Sequence, residues 1–201
     1  MKQTTLRTQS ITPNKNISFP IGTALAVQEY GQKLHFEEIF SQFKKRGVDL
    51  HHLIEGLITY RLTENESICR GSDWINRPNV LKEFNLKQFE ERTLFRALEI
   101  AGENHEEVIF LLQMSIFSQY NFPHTDINLD WTSFVLWGNK AELGKYGYSR
   151  GHRPDKKQVT VGISQLRAPM NIPIGLTIQA GNVNDQKHFK STFERVCPVL
   201  K

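Results

Sequence analysis

The sequence predicts an α+β protein, with an all-helical first part followed by three antiparallel strands and one helix. Two observations carry this. From about Gly22 to Asn121 the apolar residues recur at helical spacing, and after Pro123 the period changes to two. The 201 residues, 39% hydrophobic and 23% charged, suffice for one large domain or two modest ones with a buried core. Three regions follow: a polar segment over 1–20, a helical region over 21–122, and a strand-bearing region over 123–201.

In the helical region Phe36, Ile39, Phe40 and Phe43 fall on one helical face, and Gly47 is a natural stop. Asp49 can cap a second helix whose Leu50, Leu53, Ile54, Leu57 and Ile58 form one stripe. Leu86 to Glu99 reads as a helix, with Phe89, Leu94, Leu98 and Ile100 inward and an end near Gly102. His105 to Tyr120 gives another, with Val108, Leu111, Leu112, Ser115 and Ile116 inward.

The strands follow from alternation. Ile127, Leu129 and Trp131 alternate with Asn128, Asp130 and Thr132; Val159, Val161 and Ile163 with Thr160, Gly162 and Ser164; Ile172, Ile174, Leu176 and Ile178 with Pro173, Gly175 and Thr177. Hairpin-length connections make this an antiparallel meander, and Pro173 suits an edge strand or a strand start. Asp185 reads as the cap of a closing helix that buries Phe189, Phe193 and Val196 and stops at Pro198.

Charge and cysteine use narrow the function classes. The formal charge is +4, a mild bias, but residues 139–158 hold six Lys/Arg against two acids, whereas 63–107 is net acidic. Cys69 and Cys197 stand far apart without a neighbouring cysteine, which argues against a disulfide framework or structural zinc and for a reducing cytoplasm. No secretory signal or run of membrane-spanning length is present, so no membrane partner is expected. The histidines show no ligand spacing, and the adjacent His51 and His52 should point to different sides of a helix.

Asp130 is the leading candidate for chemistry. A carboxylate in an otherwise apolar strand is costly to bury unless it is paired or holds a metal. Phosphoryl transfer by two divalent ions needs several such carboxylates converging, and Mg²⁺ or Mn²⁺ suits oxygen ligands. The competing reading is a solvated strand face shared with Asp126 and Asn128. Beside Asp130 in this reading lies a cationic turn in which Arg150, His152, Arg153, Lys156 and Lys157 could clamp a DNA backbone; otherwise it is a charged hairpin tip. Arg92 and Arg96, near the start of their helix, could serve a recognition helix, although Glu90, Glu91 and Glu99 dilute its charge. Glu142 and Glu194 read as surface carboxylates.

Several motifs then occur in fixed order: Leu129-Asp130-Trp131-Thr132-Ser133, Tyr146-Gly147-Tyr148-Ser149-Arg150 with His152-Arg153-Pro154-Asp155-Lys156-Lys157-Gln158, Asn171-Ile172-Pro173-Ile174-Gly175-Leu176, and Gly181-Asn182-Val183-Asn184-Asp185. Together they resemble the DDE-type transposases of bacterial and archaeal insertion sequences, in particular the insertion-sequence-4 superfamily. The resemblance is strong over about 125–197 and weaker over the helical half. It implies a ribonuclease H-like catalytic domain with three metal-binding carboxylates, using Mg²⁺ or Mn²⁺ in the complete enzyme. Asp130 matches the first. The second aspartate, on a fourth strand, and the glutamate, on a later helix, have no counterpart in this chain, and Asp185 does not replace them.

The implied function is that of a DNA-binding, catalytically incomplete N-terminal portion of a cut-and-paste transposase that does not hold the metals stably. Its implied partners are element-end DNA and either a second copy or a complementary transposase fragment. The alternative is a non-catalytic DNA-binding regulator or inhibitor that uses the helical region; a stand-alone nuclease is disfavoured by the missing carboxylates.

Overall fold

The computed structural model describes residues 21–44, 46–120, 126–148, 151–168 and 171–196. Along these the order is α1 (Ile21–Lys33), α2 (Phe36–Phe40), α3 (Leu50–Thr63), α4 (Ile68–Ile75), α5 (Pro78–Glu83), α6 (Glu91–Glu103), α7 (His105–Gln119), β1 (Ile127–Val135), β2 (Gln158–Leu166), β3 (Ile172–Ala180) and α8 (Asp185–Val196). The protein is therefore α+β. Among the described residues no helix is long and apolar enough to cross a membrane. The chain divides into two compact units, one holding α3–α5 with most of α1 and α6, the other holding α2, α7, the three strands and α8.

In the first unit α3 is the central element. Asp49 takes an extended conformation and its carboxylate accepts a hydrogen bond from the His51 amide at 3.1 Å, so the expected cap forms. The expected single stripe does not. Burial extends around the helix to His51, Glu55, Gly56, Thr59 and Tyr60, the pattern of a helix enclosed on several sides, whereas Ile58 is only half-buried. Gly71 lets α4 approach: an added Cβ would stand 3.0 Å from the Tyr60 ring. The Tyr60 hydroxyl donates to the Ser67 carbonyl at 3.2 Å, and burial is the main cause of its raised pKa.

The helix expected from Leu86 begins only at Glu91. Asn85 adopts a left-handed conformation (φ 50°), and the Asn76 side chain then claims the segment that follows. Its Oδ1 accepts from the Phe89 amide at 3.0 Å, and its Nδ2 donates to the Phe89 and Ser72 carbonyls, each at 3.0 Å. With its amide committed to a side chain, Phe89 cannot join a helical ladder, and it is buried from a non-helical segment instead. The short helices α4 and α5 were not foreseen, and they contribute the deeply buried Trp74, Ile75 and Val80. Likewise α2 stops at Phe40, short of Phe43, and Gly47 takes φ 87°.

His51 and His52 also depart from expectation. Successive helical residues normally diverge, yet these rings lie 3.9 Å apart between centroids, tilted by 40°. Both turn toward the Asp49 carboxylate that caps their helix: His51 Nδ1 lies 2.8 Å from Oδ1 and His52 Nδ1 4.0 Å from Oδ2.

The second unit is a three-stranded antiparallel sheet in the order β1-β2-β3, with β3 an edge strand as Pro173 suggests. Its core, Leu166, Ile174 and Val196 with Phe117, Ile127 and Ile172, lies on the face covered by α8. The Gln113 side chain of α7 donates to the Ile174 carbonyl, and the Arg195–Glu106 ion pair, at 2.6 Å, links α8 to α7. That pairing holds the Glu106 carboxyl below its usual range.

Helix α8 corrects two expectations. Its cap is Asn184, whose Oδ1 accepts from the Lys187 amide at 3.0 Å, while Asp185 is the first helical residue. Its buried stripe is His188, Thr192 and Val196; Phe189 and Phe193 are 48% and 52% exposed and stack on each other. The reason lies in β2. Gly162 leaves a space that the His188 ring and Thr192 fill, and Thr177 Oγ1 sits 2.8 Å from His188 Nε2 and 3.0 Å from Thr192 Oγ1. A Cβ on Gly162 would fall 2.6 Å from Thr177 Oγ1 and 2.7 Å from His188 Nε2. Hydrogen-bonded polar groups thus occupy the interior where hydropathy had selected phenylalanines.

Candidate nucleic-acid interface

In β1 the odd-numbered residues from Ile127 to Val135 are half-buried and the even-numbered ones exposed. Asp130 belongs to the exposed set, with Asn128, Thr132 and Phe134. Its Oδ1 accepts from the Trp131 amide at 2.8 Å. Of the two environments open to Asp130, the structure has the solvated strand face: the pleat turns this position to solvent. Trp131, on the opposite face, stacks its ring against His188 at 5.8 Å.

The donor set around Asp130 does not fit a pair of divalent ions. Among the described residues the one group of three or more His, Cys, Asp or Glu side chains with converging donor atoms is Asp49, His51 and His52. Two-metal phosphoryl transfer requires several carboxylates at one place, so no catalytic step is assigned to Asp130.

The β1–β2 connection, from Leu136 to Lys157, is a folded excursion rather than a short hairpin. The Leu136 amide donates to the Lys157 carbonyl at 2.8 Å, and Lys145 and Gln158 exchange backbone hydrogen bonds of 3.1 and 3.0 Å. Asp130 lies five residues from the strand end, roughly 17 Å along β1 at the rise of an extended strand, so it is separated from the start of the basic loop rather than beside it.

The loop's cations are organised around Trp137, a residue that charge counting passed over. Trp137 is 78% exposed. The Arg153 guanidinium lies 5.3 Å and the Lys156 ammonium 5.1 Å from its ring centroid, within cation–π range. Arg153 also holds Asp155 through two hydrogen bonds of 2.9 Å, a bidentate clasp that lowers the Asp155 pKa to about 2. Lys157 Nζ reaches the Asn139 carbonyl at 3.4 Å. His152 is exposed in a left-handed conformation (φ 56°), and Arg150 lies outside the described residues. Residues 153–157 therefore present three cations and one acid, net +2, in a partly pre-organised array.

A second place brings separate motifs together. Gln158 is fully buried, and its Nε2 donates to the Tyr148 carbonyl at 2.6 Å and the Gly181 carbonyl at 3.4 Å. Gly147 packs so closely on the Gly181–Asn182 backbone that a side chain there would collide with it. Beside these residues opens a cleft of about 520 Å³ lined by Trp131, Ser133, Tyr148, Thr160, Asn182 and Asn184, among others. Among the described residues, neither Asp130 nor His152, Arg153, Lys156 or Lys157 lines it. Gln158 ends the His152–Gln158 motif, but nothing in its spacing marks it as the residue joining two turns.

In the first unit Arg92 and Arg96 share the exposed side of α6, opposite the buried Leu94 and Ala97, and Arg92 Nε approaches Glu90 at 3.5 Å. Cys69 is exposed, and a hydrogen bond with the Glu91 carboxylate is the main cause of its thiol's raised pKa. Compared with family models, curated proteins and solved structures, the chain finds no match in any of the three.

Proposed function

We propose that the chain binds DNA as the N-terminal part of a DDE-type transposase, that its sheet and α8 begin a ribonuclease H-like domain, and that the loop centred on Trp137 makes the principal contact. The observation that carries the reading is the exposed Trp137 ring with Arg153 and Lys156 ranged against it. Cations interleaved with a bare aromatic surface match the chemistry of a nucleic-acid strand, in which phosphates alternate with stackable bases. The ordered motifs around Asp130 and Gln158 supply the transposase component of the reading. Binding rather than strand cleavage is the proposed activity of the 201 residues, because the donors near Asp130 do not assemble a two-metal centre. Arg92 and Arg96, exposed together on α6, favour a second reading in which the helical unit alone binds DNA as a regulator.

Fluorescence anisotropy on single-stranded and duplex DNA at several salt concentrations tests both. Replacing Arg153, Lys156 and Lys157 by alanine should flatten the salt slope by roughly two to three units. Trp137→Ala should weaken single-strand binding by about 1–3 kcal/mol. Loss confined to Arg92→Ala and Arg96→Ala would select the regulator reading, and absence of DNA binding by the parent chain would defeat both.

A further inference from the structure

The first compact unit holds a side-chain cluster that the DNA-binding reading does not use. Asp49, His51 and His52 bring one carboxylate and two imidazoles to the start of α3, with one donor atom from each lying within 4.8 Å of the others. We propose that this cluster is a binding site for one divalent transition-metal ion of the borderline class, Zn²⁺ being the representative. The ion would be held by Asp49, His51 and His52, with a fourth position left to water or another ligand.

Donor chemistry supports this class of ion. Two imidazoles and a carboxylate suit zinc, nickel or copper, whereas Mg²⁺ and Ca²⁺ prefer sites made of oxygen alone. The geometry is close to what is required. Tetrahedral zinc bonds of about 2.0–2.2 Å set neighbouring donor atoms about 3.3 Å apart. The carboxylate stands 2.8 Å from His51 Nδ1 through Oδ1 and 4.0 Å from His52 Nδ1 through Oδ2, on either side of that value.

The cluster is also pre-organised. His51 is buried on a helix that is enclosed along most of its length, and His52 is half-buried. Asp49 is held by the hydrogen bond from the His51 amide. Ordering these side chains is therefore largely complete on folding, which favours binding. The amino end of a helix dipole opposes a cation, but the negative charge of Asp49, itself the capping residue, offsets that field. Without metal the same groups make a cap and an imidazole–carboxylate contact, and the experiment separates the two roles.

The full chain, free of any polyhistidine tag and stripped with chelator, is titrated with Zn²⁺ against a chromophoric competitor and with Co²⁺ by visible absorption. Asp49→Asn keeps a capping side chain but removes the anionic ligand, and His52→Gln removes the less buried imidazole. The expected result is one ion per chain with micromolar or tighter affinity, a tetrahedral Co²⁺ spectrum, and a melting temperature that rises with Zn²⁺. Each variant should lose at least about tenfold in affinity, as disruption of a metal site does, while keeping its metal-free melting temperature. No uptake by the parent, or equal uptake by the parent and both variants, overturns the proposal; the latter would identify adventitious binding to other histidines.

Discussion

Gly162→Ala should destabilise the sheet unit by an amount that the structure sets. The added methyl falls 2.6 Å from Thr177 Oγ1, 2.7 Å from His188 Nε2 and 3.2 Å from Thr192 Oγ1, so at least two buried polar groups must move. Overpacking of this kind costs about 1–3 kcal/mol, and stranding the members of the His188–Thr177 contact adds about 1–3 kcal/mol. The stiffer unfolded chain returns only about 0.4–1 kcal/mol, leaving a net loss of roughly 1–6 kcal/mol. Gly102→Ala is the control. It lies in α6 with nothing within 4 Å of the added carbon, and should stabilise by up to about 1 kcal/mol. Equilibrium urea unfolding, combined with amide exchange in β1–β3, reads both changes. A Gly162→Ala variant as stable as the parent, with unchanged protection in β2, would refute the account of why α8 turns its polar stripe inward.

Three further outcomes are expected. Asp155 titrates at about 2 rather than its usual 3.8, so the Arg153 clasp is complete above pH 4 and opens only as the pH falls through about 2; a carboxyl NMR titration with a midpoint near 4 would contradict the bidentate geometry. Asn76→Ala removes the side chain that holds the Phe89 amide and carbonyl, and urea unfolding should record a loss of about 1–3 kcal/mol; a negligible loss would mean that water replaces the amide without penalty. Asp130→Asn should leave stability within about 0.5 kcal/mol, since the position is exposed and the amide oxygen can still accept from Trp131; a loss of several kcal/mol in the same assay would assign the carboxylate a structural role.

The strands, the α7 helix and the Asp49 cap were legible because each is encoded over a few adjacent residues. Alternation in Ile127–Val135 reports a pleat, and a carboxylate ahead of an apolar run reports a helix start. The strand-borne position of Asp130 was legible too, but whether its carboxylate was buried or solvated was not, because alternation leaves open which face is covered. The helix expected from Leu86 failed because Asn76, thirteen residues before Phe89, commits that residue's amide.

What the sequence by itself determined is the order of elements from α7 through the three strands to α8, the mild positive charge, and the clustering of cations after β1. Those follow from local propensity and composition, which need no partner to act. Tertiary structure alone decided the rest. It rotated α8 so that His188 and Thr192 face Gly162, set Arg153 and Lys156 against Trp137, joined two turns through Gln158, and turned His51 and His52 toward one carboxylate. Each of these depends on the space or hydrogen-bonding group that one segment offers another, and such complementarity exists only once the chain has folded.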